Sequence, residues 1–366
     1  MQPRFSELDW LRVILIFSVF MHHVFMPFNG DNWHIMNAQS SKLLDDIMVY
    51  FEQLRLQTLF FIAGAGSLIL LTKSGTGSFF KNKFNRLFVP LLVGMLLVVP
   101  PQIYFENASS YTTLLHAYKS TFPSFETNHL WFIAYLIIFM MLAIPVKTMM
   151  LSNTGIRFLD WLERIALKKH GLFLMVLALV VIRCGLKVYF PSQDNDIENL
   201  SVSVFFLFFF LAGMFFIKQP GIWRALADHR RTNLYWLMAS TFLFYGYYYM
   251  PSLSAYISVE AQWQLWWFVA SLVSWSGLLT MIGYAVKHCS TTPAWLKNVN
   301  ELIYPFYILH QTVIVALAFY IVQWGTGIAL KSISLLLSSF LVCAFLCWVV
   351  IRPFKVTRYL FGLKLN

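Results

Sequence analysis

One apolar run, residues 8–28, is long enough to cross a lipid bilayer and also carries ionisable side chains. Its sequence, LDWLRVILIFSVFMHHVFMPF, contains Asp9, Arg12, His22 and His23. A membrane-spanning helix needs about 20 mostly apolar residues, and an ionisable side chain within it costs roughly 2.5 kcal/mol or more unless it faces protein or water. Because intramembrane ionisable residues usually mark functional sites, we expect such a site on this helix.

The spacing of these residues predicts which of them act together. Each residue turns an α-helix by about 100°, so Arg12 and His23 lie about 20° apart on one face, whereas His22 lies about 80° from Arg12. The pattern therefore favours His23 over His22. The alternative interpretation is that Arg12 only marks the cytoplasmic end of the helix and that one histidine hydrogen-bonds a neighbouring helix.

The chain as a whole has the composition of a membrane protein. Of its 366 residues, 59% are hydrophobic and only 12% are charged, which is about half the charged fraction of a soluble domain. The mean hydropathy is +0.65. The water-facing parts must therefore be short loops, and we expect one integral membrane domain over residues 1–366. The first apolar run is too long and too charged for a signal-peptide core, so we interpret it as a retained helix.

Apolar runs of spanning length recur along the whole chain. They predict an all-α fold, a polytopic membrane helical bundle of about ten transmembrane helices. The predicted spans cover residues 8–28, 51–72, 84–106, 129–151, 171–190, 199–217, 233–250, 263–287, 299–324 and 330–351.

The loops between these spans alternate in charge. Lysines and arginines collect in every second loop and in the C-terminal tail, whereas acidic residues dominate the loops between them. By the positive-inside rule both termini are cytoplasmic, which places His22 and His23 in the outer half of the first helix. The net charge of +11 follows this topology and does not form one basic face, so we expect the lipid bilayer, and no nucleic acid, as a partner.

The four cysteines give no sign of a disulfide framework or a metal site. Cys343 and Cys347 share one face of an apolar helix, and Cys184 and Cys289 stand alone. This pattern favours small buried apolar side chains. We therefore expect no metal and no permanently bound cofactor.

A basic pair, Lys83 and Arg86, lies at the cytoplasmic entry of the third helix, one turn apart and just before Pro90. A lysine offers a point charge and an arginine offers a fork that grips phosphate oxygens, so the pair is suited to a phosphate group. The ordinary excess of basic residues on the cytoplasmic side explains the same pair equally well.

His129 and Trp131 open the fourth helix on the predicted outer side, where His22 and His23 also lie, so these residues can share an outer pocket. Tryptophan is also common at a membrane interface without any further role.

Two more groups lie within later helices. Arg183 and Lys187, four residues apart near the outer end of the fifth helix, can hold an anionic substrate group, but we favour the interpretation that their charges extend to water. His310 lies near the middle of the ninth helix. An imidazole at that depth needs a partner or a water-filled cavity, so we favour a functional role over polar packing.

Several short motifs, taken in order over nearly the whole chain, resemble the acyltransferase 3 family of integral membrane acyltransferases, and most of all its glucan-biosynthesis branch. Each motif alone is weak, but their order over ten predicted helices is specific. The motifs are Leu8-Asp9-Trp10-Leu11-Arg12 with ten residues before His23, Phe61-Ile62-Ala63-Gly64, Lys83-Phe84-Asn85-Arg86-Leu87 with Pro90, His129-Leu130-Trp131-Phe132, and Tyr307-Ile308-Leu309-His310-Gln311.

The resemblance implies an enzyme of the bacterial inner membrane that moves an acyl group from cytoplasmic acyl-CoA to a hydroxyl of an extracytoplasmic glycan. In the branch named, that group is succinyl, and acetyl is the other acyl group we consider. The resemblance carries the family's arginine and histidine onto Arg12 and His23, and its basic pair onto Lys83 and Arg86. The family often has arginine at both positions of the basic pair, so Lys83 departs from the pattern and weakens bidentate phosphate binding there.

These observations predict roles for the candidate residues. Lys83 and Arg86, with Arg12, bind the phosphates of the donor, and His23 is the general base or carries the acyl group, with His22 as the other candidate. Imidazole suits either role because it titrates near neutral pH.

The remaining candidates are predicted to act on substrate. His129, Trp131 and His310 bind or orient it, and Arg183 is the candidate cation for a succinyl carboxylate.

A membrane transporter is the rival prediction, because the same intramembrane arginine and histidines can form a proton or substrate pathway. The sequence shows no pair of corresponding interrupted helices in its two halves, which such transporters often have. Turnover of acyl-CoA by the purified protein distinguishes the enzyme from the transporter.

Overall fold

A computed structural model of the chain describes residues 5–122, 126–251 and 253–364. Helices make up 80% of the structure, and no strand occurs in the described ranges. The prediction of an all-α membrane bundle is confirmed.

The helices follow the predicted apolar runs closely. They are α1 Ser6–Phe25, α2 Lys42–Glu52, α3 Arg55–Lys83, α4 Val89–Val93, α5 Val99–Glu106, α6 Leu114–Thr121, α7 Trp131–Met150, α8 Asn153–Ala166, α9 Gly171–Leu174, α10 Val176–Tyr189, α11 Leu200–Lys218, α12 Pro220–Asp228, α13 Arg230–Tyr248, α14 Val259–His288, α15 Ala294–Ile321, α16 Ile328–Phe345 and α17 Lys355–Leu360. Short 3₁₀ turns occur at Met26–Phe28 and Asn128–Leu130, and wider π-helical turns at Phe84–Phe88, Gly94–Val98 and Leu346–Ile351.

Local sequence accounts for several helix boundaries. Ser152 and Ser258 precede α8 and α14, and each hydroxyl accepts a hydrogen bond from the backbone N–H three residues later, at 3.1 and 3.2 Å. Such caps satisfy amides that the helix itself leaves unpaired. Within α3, Gly75 has a φ of 72°, a value that glycine adopts easily, so the helix is broken at the Gly-Thr-Gly sequence.

Eight helical segments of the described chain are long and apolar enough to span a membrane. One of them, Lys42–Glu106, contains both the second and the third predicted spans. The predicted span at 233–250 is matched by the helix α13, but that helix is not among the eight, because polar and tyrosine side chains lower its hydropathy. The chain is therefore a multi-pass membrane protein, and the count of about ten spans stays a prediction.

The chain forms two compact units. Of the described residues, those within Met1–Arg12, Glu52–Thr76 and Ile138–Thr292 form the first unit, and those within Val13–Phe51, Gly77–Ile137 and Pro293–Asn366 form the second.

In the first unit, the small residues of α3 allow close helix packing. A Cβ atom added at Gly64 would lie 1.9 Å from the carbonyl oxygen of Phe210 on α11, and one added at Gly213 of α11 would lie 2.0 Å from the carbonyl oxygen of Phe61. The two backbones therefore touch, as small residues permit in membrane helices. This contact accounts for the Phe61-Ile62-Ala63-Gly64 sequence by packing.

In the second unit, α1, α15 and α16 enclose an apolar core. Its fully buried members include Phe20 and Val24 of α1, Ile314 of α15, and Leu335 and Cys343 of α16. This core holds the C-terminal half of α1 against α15.

Replacement of Gly213 by alanine should lower the midpoint of thermal unfolding, measured by tryptophan fluorescence in detergent. The new methyl group would overlap the Phe61 carbonyl, and overpacking of this kind typically costs about 1–3 kcal/mol. Gly66→Ala is the matched control, because nothing lies within 4 Å of its added Cβ. Equal midpoints for the two variants would contradict the close contact between α3 and α11.

Candidate active site

Two histidines from distant parts of the sequence form a hydrogen bond in the second unit. His23 lies in the last turn of α1 and His310 lies within α15, and the Nδ1 atom of His23 is 2.8 Å from the Nε2 atom of His310. One turn before His23, Phe20 packs edge to face on Phe306 of α15, with ring centroids 5.2 Å apart. The buried aromatic contact therefore sets the approach of the two imidazoles.

The hydrogen-bond partners define which ring nitrogens carry protons when both rings are neutral. His310 Nδ1 contacts the carbonyl oxygen of Tyr307, which can only accept, so the proton of His310 is on Nδ1. Its Nε2 atom is then an acceptor, and His23 donates to it from Nδ1. The basic nitrogen of the neutral His23 ring is therefore Nε2, as in a general base oriented by a second residue.

Aromatic neighbours border His23. The ring of His22 meets it edge to face at 5.5 Å between centroids, and the ring of Trp33, from the loop after α1, lies nearly parallel to it at 6.2 Å. Trp33 also packs edge to face on His34 at 4.9 Å. These contacts restrict the orientation of the His23 ring.

His129 lies next to His310, with ring centroids 5.5 Å apart. Its Nε2 atom donates to the carbonyl oxygen of Ile308 at 2.9 Å, and its own carbonyl oxygen accepts from the Tyr307 hydroxyl at 2.5 Å. The Nδ1 atom of His129 is buried and has no hydrogen-bond partner among the described residues. That nitrogen is an acceptor, so a hydroxyl group of a ligand, or a water molecule, can donate to it.

A network of amide side chains surrounds this histidine cluster. Asn128 Oδ1 accepts from Nε2 of both Gln102 and Gln311, each at 2.9 Å, and the same two Nε2 atoms lie 3.1 and 2.9 Å from His34 Nε2. His34 Nδ1 lies 2.9 Å from a carboxylate oxygen of Glu106. The network links α5, α15 and the turn before α7, so it fixes the positions of the elements that carry the histidines.

The turn before α7 has an uncommon backbone conformation. Asn128 has a φ of 43°, which is rare for residues other than glycine but tolerated best by asparagine and a few other polar residues. Its Oδ1 atom also accepts from the backbone N–H of His129 at 2.8 Å. Trp131 follows as the first residue of α7 and packs edge to face on Tyr135 at 5.3 Å. The conformation of this turn places the amide network and His129 side by side.

A polar cavity of about 410 Å³ borders the same network at Glu106. Carboxylate, amide and hydroxyl groups dominate its lining, which suits a ligand rich in hydroxyl groups. The lining residues are Ile103, Glu106, Asn107, Ser110, Tyr111, Ser120 and Glu126.

Arg86 of the basic pair contacts the C-terminal turn of the second unit. Arg86 Nε donates to the carbonyl oxygen of Gly362 at 3.1 Å. A Cβ atom added at Gly362, which has a φ of 72°, would lie 2.8 Å from both the Arg86 carbonyl oxygen and a ring carbon of Tyr304. The Tyr304 hydroxyl is buried without a hydrogen-bond partner in the described chain, so Arg86 and Tyr304 together offer a cation and a hydroxyl donor. The Lys83 ammonium lies 5.7 Å from the centroid of the Phe79 ring.

Arg12 belongs to the first unit and is paired with Asp9 at 3.3 Å, one turn earlier on α1.

Arg183 and Lys187 are both buried in the first unit, beside a cavity lined by other residues of that unit. The interpretation that their charges extend to water is wrong for this pair. The guanidinium of Arg183 stacks on Phe205 and Trp267, 4.0 and 4.9 Å from the ring centroids.

The sequence thus identified the histidines of the cluster but not the groups that orient them. Gln102, Asn128 and Gln311 come from three separate segments, and no spacing within one helix relates them. Tyr304 lies six residues before His310, yet its proximity to Arg86 depends on the C-terminal turn. An amide side chain next to a candidate histidine, as in Asn128-His129 and His310-Gln311, is the one signal available in the sequence.

The model of the acyltransferase 3 family, described as an acyltransferase domain, matches residues 5–352. The chain is 24% identical over 242 residues to proteins named "Glucans biosynthesis protein C" from Salmonella schwarzengrund and Salmonella typhi. Each alignment covers 60% of this chain and 60% of the relative. No solved structure matches the chain.

The tautomers of His23 and His310 can be measured by NMR of ¹⁵N-histidine-labelled protein in lipid. At a pH where both rings are neutral, we expect the proton of each ring on Nδ1. His310→Phe removes the acceptor that holds the His23 proton there, so the His23 signals should shift towards a mixture of tautomers. A His23 ring protonated on Nε2 in the wild-type protein would contradict the assignment, and His288→Ala, an exposed histidine of α14, identifies signals outside the cluster.

Proposed function

The chain belongs to the acyltransferase 3 family, and we propose that it transfers an acyl group from acyl-CoA to a hydroxyl of a glycan outside the cytoplasm. Succinyl and acetyl are the acyl groups proposed. The family match over residues 5–352 supports the reaction class. The chain spans about 60% of the length of these relatives, and their name, "Glucans biosynthesis protein C", motivates the proposal of a glucan-like acceptor in a bacterial inner membrane.

The hydrogen bond between His23 and His310 is the observation that carries this proposal. It leaves the Nε2 atom of His23 as the basic nitrogen of the ring. In the proposed reaction, this atom takes the proton of the acceptor hydroxyl while the oxygen attacks the thioester carbonyl carbon. The carbon–sulfur bond then breaks, and the imidazolium returns the proton to the departing CoA thiolate.

His310 is proposed as a positioning residue for His23. When His23 becomes an imidazolium, its Nδ1–H bond to His310 Nε2 becomes a charge-assisted bond, which is stronger than the neutral one. Since a charge on a partly buried side chain of a membrane protein is stabilised by such a partner, His310 is proposed to support proton transfer as well as orientation. The ring of His22 packs edge to face on the ring of His23, and we propose that this contact restricts the orientation of the His23 ring.

The acceptor site is proposed at the polar cavity beside Glu106. Sugar hydroxyls both donate and accept hydrogen bonds, and the lining supplies carboxylate, amide and hydroxyl partners for them. The unpartnered Nδ1 atom of His129 is a further acceptor for a substrate hydroxyl. Trp131, at the start of the same helix, is proposed to contact the substrate with its ring.

The donor phosphates are proposed to bind at Lys83, Arg86 and Tyr304. Arg86 offers a guanidinium fork that is already fixed through its Nε atom by Gly362, and the Tyr304 hydroxyl lacks a protein acceptor. A phosphate oxygen accepts from both groups, so bound donor would satisfy a hydroxyl that is otherwise buried unpaired. A role in donor binding for Arg12, which lies in the first unit, stays a prediction from the sequence.

Transfer of a labelled acyl group from acyl-CoA to glycan, measured with protein in proteoliposomes, tests the central proposal. His23→Ala should lower the turnover by about 10² to 10⁴, the usual contribution of a general base. His310→Gln should lower it by roughly tenfold to a hundredfold, since a hydrogen bond to a charged group contributes about 1.5–3 kcal/mol. Membrane levels and unfolding midpoints of both variants serve to exclude misfolding.

His288→Ala should transfer at the wild-type rate, because this exposed histidine lies outside the cluster. Full activity of His23→Ala would remove the catalytic role of His23. If the wild-type protein showed substrate flux without any turnover of acyl-CoA, the proposed acyltransferase function would be rejected in favour of transport.

Tyr304→Phe should raise the KM for acyl-CoA several-fold and change kcat little, since it removes one hydrogen bond to the donor, worth about 1 kcal/mol. The unfolding midpoint should not fall, because the hydroxyl has no protein partner to lose. Tyr359→Phe, a more exposed tyrosine of α17, is the control. A kcat effect with an unchanged KM would place Tyr304 outside the donor site.

A further inference from the structure

Two cationic side chains of α10 are buried in the first unit beside a cavity of about 180 Å³. Arg183 is 8% exposed and Lys187 is 4% exposed. Within the described part of the chain, no carboxylate lies within 4.0 Å of either side chain. Buried charges in proteins are normally paired with an opposite charge, so this cavity has an excess of positive charge that an anionic ligand would balance.

The protein holds both cations in place without neutralising them. Arg183 Nη1 donates to Ser271 Oγ at 3.3 Å, and its guanidinium stacks on Phe205 and Trp267. Lys187 Nζ lies 4.5 Å from the centroid of the Trp267 ring and donates to the carbonyl oxygen of Ser192. Cation–π contacts orient a cation and leave its charge available to a ligand.

The neighbouring carboxylates offset only part of this charge. Glu52, which lines the cavity, lies 3.6 Å from Arg55, itself a buried cation. Asp194, in the loop after α10, accepts from the Ser192 hydroxyl at 2.5 Å, keeps its own charge and acts on Lys187 from beyond ion-pair distance. The three cations Arg55, Arg183 and Lys187 outnumber the two carboxylates Glu52 and Asp194, so the local balance of charge stays positive.

A buried amide oxygen in the cavity lining has no donor. Gln57 is 4% exposed, and its Nε2 atom donates to the carbonyl oxygen of Glu52 at 3.3 Å. Its Oε1 atom is buried without a partner among the described residues. An unpaired buried acceptor costs about 1–3 kcal/mol, and a ligand hydroxyl would satisfy it.

The remaining lining defines the class of ligand. Amide and hydroxyl side chains of Gln193, Asn195 and Ser201 lie beside the rings of Trp266 and Trp267. Hydroxyl partners and flat aromatic faces together suit a sugar ring, and the two cations select a sugar that carries negative charge. The volume is below the roughly 300–1,000 Å³ of sites for larger ligands, so the cavity holds one residue of a glycan at a time.

We propose that this cavity binds a single anionic sugar residue, one that carries a carboxylate or a phosphate. That the residue belongs to the acceptor glycan rests on the function proposed above, whereas binding itself does not. The site is separate in its residues from the histidine cluster, which lies in the second unit.

The test measures binding of glucuronate, glucose 6-phosphate and glucose to the protein in phosphatidylcholine nanodiscs, by saturation-transfer NMR without acyl donor. The two anionic sugars should bind at least about tenfold more tightly than glucose. Arg183→Gln should reduce their affinity to that of glucose. Arg224→Gln, which removes an exposed arginine of α12 in the same unit, should bind them as the wild type does.

A second variant keeps the test valid if Arg183→Gln fails to fold. Gln57→Met removes the unpaired amide oxygen in a side chain of similar length, so the unfolding midpoint should stay equal or rise. The same variant should bind all three sugars several-fold more weakly, because each loses a hydroxyl acceptor. A lower unfolding midpoint with unchanged sugar binding would show that Gln57 has a purely structural role. That result would overturn the proposal.

Two further outcomes would also overturn it. Equal affinities for glucose and the anionic sugars would exclude selection by charge, and loss of sugar binding on adding phosphatidylglycerol would assign the cavity to an anionic lipid headgroup. His23→Ala should bind the sugars normally while losing transfer. Binding without any glycan acylation by the wild type would therefore refute only the proposed function. Transfer at equal rates to neutral and anionic glycans would refute only the assignment of the bound sugar to the acceptor.

Discussion

The hydrogen bond between His23 and His310 is the interaction on which the histidine site depends. Its two residues are separated by 287 positions, and they meet because Phe20 and Val24 of α1 are buried in one core with residues of α15 and α16. Tyr307 ties both neighbouring histidines into the same structure, since it contacts His310 through its carbonyl and His129 through its hydroxyl. Lipid offers no partner to an unpaired polar group, so these groups pair within the protein, and the Nδ1 atom of His129 is an exception that a ligand or a water molecule can satisfy.

Hydropathy predicted the long membrane helices, since a run of apolar residues is suited to burial in lipid, but it did not predict the shorter helices α2, α6, α8 and α12. Helical periodicity placed Arg12 and His23 on one face of α1, but it relates only residues of one helix. It cannot show that His310 approaches the Nδ1 side of His23, or that Gln102 and Gln311 share Asn128 Oδ1. Those contacts depend on how separate helices pack, and on a positive φ at Asn128 that no local pattern requires.

Arg183 and Lys187 of α10 also show that a pattern within one helix does not reveal contacts made by other helices. A basic residue near a helix end normally reaches water, and that rule failed for Arg183 and Lys187 because Phe205 and Trp267 cover them. Phe205 belongs to α11 and Trp267 to α14, so the side chains that bury these cations come from other helices. The small residues around Gly64 permit its close contact with Phe210, but the identity of that partner also depends on how α3 and α11 pack.

The choice of an imidazole as the partner of His23 has a physical consequence. In many hydrolases an aspartate orients the catalytic histidine and adds a negative charge that stabilises the imidazolium. A carboxylate buried among membrane helices would itself need a cation or several donors, at a cost that a neutral imidazole avoids. His310 therefore orients His23 without adding a buried charge to the resting site. In the proposed reaction, the His23 imidazolium would be stabilised less than it would be by a carboxylate, which favours rapid return of the proton to the leaving group.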